Sequence, residues 1–186
     1  MKEAITSRKS TYLLAFFIVI VIVAIPLVVW SYPSNPPLAK TGAPGEGTCA
    51  DCHSGGPGGG TITVTASGKK TYHPGTKQHL IVTVTDPGAG WWGYEMTAVR
   101  VLKPTTGAGT FTATDKLSSV RKQGTKSYAA QLNDQQGKMK TVTYKIDWTP
   151  PKTNVGKITL YLAGVGGYGD PALDSVYTSS LTLSPK

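Results

Sequence analysis

Two thiols and an imidazole stand within five positions of one another, Cys49, Cys52 and His53, in the segment TGAPGEGTCADCHSGGPGGG. They include both cysteines of the chain and one of its three histidines. The order Cys-x-x-Cys-His is the attachment pattern of c-type haem. Two thiols at this spacing can add to the two vinyl groups of one porphyrin, and the imidazole directly after them meets the iron as proximal ligand. Other chemistries stay open on the residues alone. A reducible Cys-x-x-Cys pair belongs at the start of a helix in a βαβ setting, and a structural zinc needs four protein ligands where no second cysteine pair exists. A disulfide across so short a loop staples little and leaves His53 without a role. The pattern favours one covalent haem c, with Cys49 and Cys52 as thioether donors and His53 on the iron. The surrounding glycines are expected to let a porphyrin lie flat against backbone, although a flexible linker has the same composition.

A haem iron has a sixth position, for which the chain offers His73, His79, Met96 and Met139. If the strand beginning at Thr61 runs away from the haem, His73 and His79 end about 15 to 20 Å from it at ~3.3 Å per residue. Met96 then returns near the haem end, in the same strand region as Trp91 and Trp92, which are expected to pack against the porphyrin. Met96 serves equally well as a core residue, since it shares a strand face with Tyr94 and Ala98. His79 falls on the polar parity of its strand, opposite Leu80, Val82 and Val84, and is expected to be accessible. The remaining arrangement is an iron left to water or to a ligand from a partner, which includes a neighbouring copy of the chain.

The elements that must position these groups divide the chain into four parts. Lys2, Arg8 and Lys9 precede YLLAFFIVIVIVAIPLVVW, residues 12–30, which are 19 residues without a charge. Such a stretch can span a bilayer as a helix, with Trp30 and Tyr32 at the far interface and the basic residues 1–11 in the cytoplasm. A cleaved signal segment is the alternative, against which stand the length of the apolar run and the lack of small residues at its end. Either way the remainder is exported, to the membrane or cell surface. Residues 31–60 are rich in proline and glycine and are expected to form a tether carrying the haem segment. From residue 61 onward, apolar residues recur at period two: Ile62 and Val64; Leu80, Val82 and Val84; Val142, Tyr144, Ile146 and Trp148; Ile158, Leu160 and Leu162. With further candidates at 94–102, 109–114, 127–132 and 176–183, about eight short strands follow, separated by turn signals such as DPGAG and WTPPKTNVG, and no soluble helix. The expected fold is an all-β, immunoglobulin-like antiparallel β-sandwich over residues 61–186.

The formal net charge of +9 is moderate. Lys116, Arg121, Lys122 and Lys126 fall in what reads as one long solvated connection, which could instead steer an acidic partner. No motif points to nucleic acid. None of the three histidines lies in a nucleophile motif, so an electron carrier is expected rather than a turnover enzyme. Asp170 and Asp174, in GYGDPALD, could bind calcium, but a turn with solvated carboxylates explains them without further acidic ligands.

The strings TGAPGEGTCADCH, YHPG, WWGYEMTAV, IDWTPP, GKITLYLAG and GDPALDSVYTSSLTL together resemble the exported proteins called choice-of-anchor V, which are similar to the Reeler domain. The resemblance spans roughly residues 41–183. It implies a Reeler-like sandwich with the Cys-x-x-Cys-His segment at its N-terminal edge. Under it Tyr72, Pro74 and Gly75 are turn-forming, and Tyr94, Trp148 and Pro150 are framework positions. The expected function is a membrane-anchored, extracytoplasmic monohaem c-type cytochrome exchanging electrons with a redox partner or with copies of itself. The alternative is a surface adhesion module in which the two cysteines form a disulfide.

Overall fold

The computed structural model describes residues 34–56, 58–133, 135–137 and 140–186. The apolar stretch 12–30 and Met139 lie outside the described residues, among which no helix is long and apolar enough to cross a membrane. Two sheets face each other. The smaller has the order β1 (Thr61–Ala66), β3 (Gln78–Thr85), β10 (Thr141–Thr149) and β6 (Thr110–Ala113). The larger runs β2 (Thr71–Tyr72), β12 (Ser175–Pro185), β11 (Ile158–Gly167), β4 (Trp91–Arg100), β8 (Lys126–Gln131) and β7 (Ser118–Gln123), with β5 (Lys103–Gly107) and β9 (Gln135–Gln136) also paired to β4. Pairing is antiparallel except for the short β2 beside β12.

The alternation in the sequence sets which faces meet. In β1 Ile62 and Val64 point inward while Thr61, Thr63 and Thr65 face solvent, and β3 and the first part of β10 repeat the pattern. Opposite them Trp92, Tyr94, Met96 and Ala98 of β4 and Ile158, Leu160 and Leu162 of β11 close the core. Large aromatics fill it in tilted and edge-on pairs, Tyr94 with Tyr144 at 4.4 Å and Tyr72 with Trp148 at 5.9 Å between centroids. Two polar tips inside the core find backbone partners: Tyr144 donates to the Trp92 carbonyl at 3.0 Å and Trp148 Nε1 donates to the Ala108 carbonyl at 2.9 Å.

Unlike β1, strand β4 is buried on both faces through most of its length. Its outer face carries Glu95 and Thr97, both fully buried. The cover is residues 36–53, so the expected tether is in its later part an ordered strap. Its sequence explains the order. Pro44 and Gly45 occupy the central positions of a turn closed by Glu46 N–H donating to the Ala43 carbonyl at 2.8 Å, with Gly45 at φ +81°. Proline followed by a glycine at positive φ is the signature of a type II turn. An antiparallel bridge between Thr41 and Thr48 closes the hairpin behind it. The turn delivers the Glu46 carboxylate onto the sheet, where it accepts from Lys126 Nζ at 2.5 Å, Tyr128 OH at 2.7 Å and Thr41 Oγ1 at 2.5 Å. The Lys40 N–H donates to Glu95 Oε2 at 2.6 Å, and Arg121 donates to the Pro36 carbonyl.

Two expectations change accordingly. Arg121 and Lys126 do not lie in a solvated connection: residues 118–131 form the β7–β8 hairpin, whose outer face is taken by the strap. Strands β2, β5, β7 and β9 are too short or too polar for apolar periodicity to reveal, because their inward partners are few. The Glu46–Lys126 pair is almost wholly buried, with 3% and 12% of the side chains exposed. Removing one partner of a buried pair strands the other charge. Glu46→Ala should therefore lower the unfolding free energy of the full chain by ~3 kcal/mol in urea titration, and should open the strap to trypsin at Lys40 while the strands stay protected.

Candidate functional site

After Thr48 the strap makes one short helical turn, the 3-10 helix Cys49–Asp51, capped by Thr48 Oγ1 accepting from Ala50 N–H at 3.2 Å. The turn continues far enough for His53 N–H to donate to the Cys49 carbonyl at 3.0 Å. Positions i, i+3 and i+4 of a helical turn share one face. Cys49, Cys52 and His53 occupy those positions of one turn. Both thiols are free; Cys52 is exposed and Cys49 half-buried.

His53 is held by a residue distant in sequence. Its Nδ1 lies 2.7 Å from Asp174 Oδ2, and the Asp174 side chain is only 8% exposed. The loop 168–174 supplies this partner and is itself fixed: Tyr168 N–H donates to Asp174 Oδ1 at 2.7 Å, and Ser54 N–H donates to the Pro171 carbonyl at 2.9 Å. Asp174 is thus neither a calcium ligand nor a solvated turn residue but the orienting group for His53. Its separation of 121 residues from His53 gave no local signal in the sequence. Asp170 remains exposed, capping Ala172 N–H at 2.9 Å.

Two of the glycines are required by close approach of backbone. A Cβ on Gly55 would come within 2.3 Å of the Leu173 backbone, and one on Gly60 within 2.2 Å of the Thr85 carbonyl oxygen. They permit chain to lie on chain, which seats the segment on the loop and on the end of β3. Beside it the buried Asp86 accepts from Tyr168 OH at 2.9 Å and Tyr177 OH at 2.7 Å, and Tyr177 OH in turn accepts from Gly60 N–H at 3.2 Å.

Beneath the turn lies Glu95. Burial pushes its carboxyl up to about 7, with the Glu46 charge adding to the shift and the Lys40 N–H opposing it. Its second oxygen, Oε1, is buried without a partner among the described residues. Burial, reinforced by Glu95, also pushes the Cys49 thiol up to about 12.

The other predicted residues separate. Trp91 is 38% exposed and flanks the His53 loop, where a Cβ on Gly169 would sit 3.5 Å from its ring. Together with Tyr168 it lines a cleft of about 400 Å³. Trp92, one position on, points into the core and is 1% exposed, so a porphyrin outside the sandwich cannot pack on it. Met96 is likewise inside the core with no exposed surface, and its thioether could reach an external iron only by unpacking the two sheets. His73 and His79 lie at the opposite end: β1 and β3 pair Thr61 with Thr85 and Ala66 with Leu80, leaving His79 beyond the far end of β1. Both are exposed. Among the described residues no three His, Cys, Asp or Glu side chains converge as a metal site by themselves.

No protein-family model matches the chain, and no curated protein does. Among solved structures it is similar to the Reelin-N domain of F-spondin, at 15% identity over 74% of this chain and 95% of that one, with a TM-score of 0.54. A human F-spondin reeler domain fragment matches at 14% identity over 72% of this chain and 96% of that one, with a TM-score of 0.50. At such identities the likeness is one of fold: the chain has a Reeler-like β-sandwich.

Two outcomes follow from the shifted groups. In protein prepared without haem maturation, iodoacetamide at pH 8 should label Cys52 at least ~10-fold faster than Cys49, because only the thiolate reacts; unfolding in urea should abolish the difference. Glu95 binds its proton more tightly folded than unfolded, so it weighs against folding as pH rises from 4.5 toward about 7, and fully above that. Glu95→Gln should flatten the stability profile across this window and be more stable than wild type at pH 8, as read by urea unfolding at successive pH values.

Proposed function

We propose that the chain is a membrane-anchored, extracytoplasmic monohaem c-type cytochrome that exchanges single electrons at the cell surface. The observation that carries this reading is the pairing of His53 Nδ1 with the buried Asp174, beside the turn that carries two free thiols. Imidazoles that ligate metals characteristically give their other nitrogen to a carboxylate or carbonyl, which fixes the tautomer and the ring plane. Here that leaves Nε2 as the ligating nitrogen, and among the described residues it has no hydrogen-bond partner. A disulfide would use the thiols but has no need of an oriented imidazole.

The residues fit the group. Cys49 and Cys52 would hold the porphyrin as thioethers, His53 would take the iron, and Trp91 would flank it. Bound there, haem supplies a one-electron change at iron. Asp174 holds the His53 ring through Nδ1. The strap, seated by Glu46, keeps the turn that carries the three residues against the sheet. The uncharged residues 12–30 would keep the sandwich at the membrane.

Expression with cytochrome c maturation should yield an intact mass equal to the polypeptide plus one haem, and haem staining that survives denaturing electrophoresis. Cys49→Ala combined with Cys52→Ala should lose both signals. A mass lower than the polypeptide by two hydrogens would establish a disulfide and leave the adhesion reading in its place.

A further inference from the structure

We infer that His79 is an axial ligand presented outward, for the haem iron of a second copy of this chain. The inference rests on the cytochrome reading and adds the partner of the same site. Its basis is a likeness between the two ends of the sandwich. His79 Nδ1 lies 2.6 Å from Asp147 Oδ1, as His53 Nδ1 lies 2.7 Å from Asp174 Oδ2, and in both cases the carboxylate side chain is 8% exposed. The cross-strand register places Asp147 directly opposite His79, so the pair is built into the β3–β10 ladder. The difference is exposure: the His79 side chain is 76% exposed against 28% for His53. Nor is His79 required to balance Asp147, because Lys77 Nζ already stands 3.0 Å from its other oxygen. What the arrangement achieves is an imidazole with Nδ1 engaged and Nε2 turned to solvent, the form in which histidine binds a metal.

His79 cannot serve its own iron. From Thr61 to Ser67 the chain runs about 20 Å at ~3.3 Å per residue, and the rigid β1–β3 pair fixes that separation. Among the described residues Met96 is sealed in the core, and the two other histidines, His73 and His79, both lie at the far end. His73 shares the location of His79 but has no carboxylate on its ring among the described residues.

A second copy is the occupant favoured by charge. His79 is surrounded at its end of the sandwich by the exposed Lys69, Lys70, Lys77 and Lys152. The loop against which His53 packs, residues 169–175, holds Asp170 and Asp174 and neither lysine nor arginine. Lys140 and the Asp51-paired Lys40 also lie toward that end and reduce the contrast without reversing it around His53 itself. A contact between unlike faces is heterologous and, unless it closes into a ring, extends into a chain of copies.

The test uses the full chain, haem-loaded, in detergent. Intact mass first establishes the covalent haem; if none is attached, the cytochrome reading fails and this inference with it. In loaded protein, electron paramagnetic resonance of the oxidised iron is compared at dilute and concentrated protein. Wild type and His73→Ala should pass from high-spin signals when dilute to low-spin bis-imidazole signals when concentrated. His79→Ala should keep the dilute spectrum throughout, and free imidazole should convert it to the concentrated form. Adding haem-free Cys49→Ala, Cys52→Ala protein, which retains His79, to loaded His79→Ala protein should restore the low-spin signal, and the same protein also carrying His79→Ala should not. A loaded wild type whose spectrum ignores concentration, or a His79→Ala protein indistinguishable from it, would overturn the inference while leaving the cytochrome reading intact.

Discussion

The Glu46 carboxylate is the contact on which the placement of the candidate site depends. It is a charge taken almost wholly out of water, and such a group is tolerable only when its lone pairs are matched. Three donors from two elements do this: Thr41 within the strap, and Lys126 and Tyr128 on β8. Because Lys126 and Tyr128 are fixed in the sheet, they pin the strap to it at Glu46. That contact seats the start of the short turn at Thr48, and with it Cys49, Cys52 and His53. Weaken the Glu46 contact and the three groups still share a turn, but the turn loses its register against loop 168–174.

Other buried carboxyls divide into those that are matched and one that is not. Asp86 gathers two tyrosine hydroxyls and the Gly88 N–H, Asp174 takes His53 and the Tyr168 N–H, and Asp147 takes Lys77 and His79. Each ties a loop or a neighbouring strand to the sandwich ends, where apolar contacts thin out. Of these carboxyls Glu95 alone has a buried oxygen without a partner among the described residues, and its burial, with the Glu46 charge adding to the effect, pushes its carboxyl up to about 7. It sits where strap, sheet and cysteine turn meet. A neutral acid there avoids placing an unpaired negative charge beside Glu46.

The sandwich holds its two histidine–carboxylate pairs at opposite ends. One end carries the thiols, His53 and the Trp91–Tyr168 cleft; the other carries His79 in a lysine-rich surround. Between them lies the aromatic core, in which Tyr144 and Trp148 are tied by their polar tips to backbone carbonyls of the facing elements. The eight-stranded sheet is wider than the four-stranded one that faces it, and its outer surface is the part that needs a cover.

By itself the sequence determined the all-β class, the two-residue period of β1, β3 and β10, the outward placement of His79 and the Cys-x-x-Cys-His spacing, because each of these is encoded in neighbours a few positions apart. The Pro44–Gly45 turn was equally local but read as slack, since composition does not reveal what a turn will dock onto. Only the tertiary structure decided that residues 36–53 form a strap, that Arg121 and Lys126 serve it, that Trp92 and Met96 face inward, and that Asp174 holds His53. Those outcomes depend on which faces of two sheets meet and on contacts between residues 80 or more positions apart, such as Glu46 with Lys126 and His53 with Asp174. Period-two alternation says that one side of a strand is buried; it does not say whether the other side meets water or a returning segment of the chain.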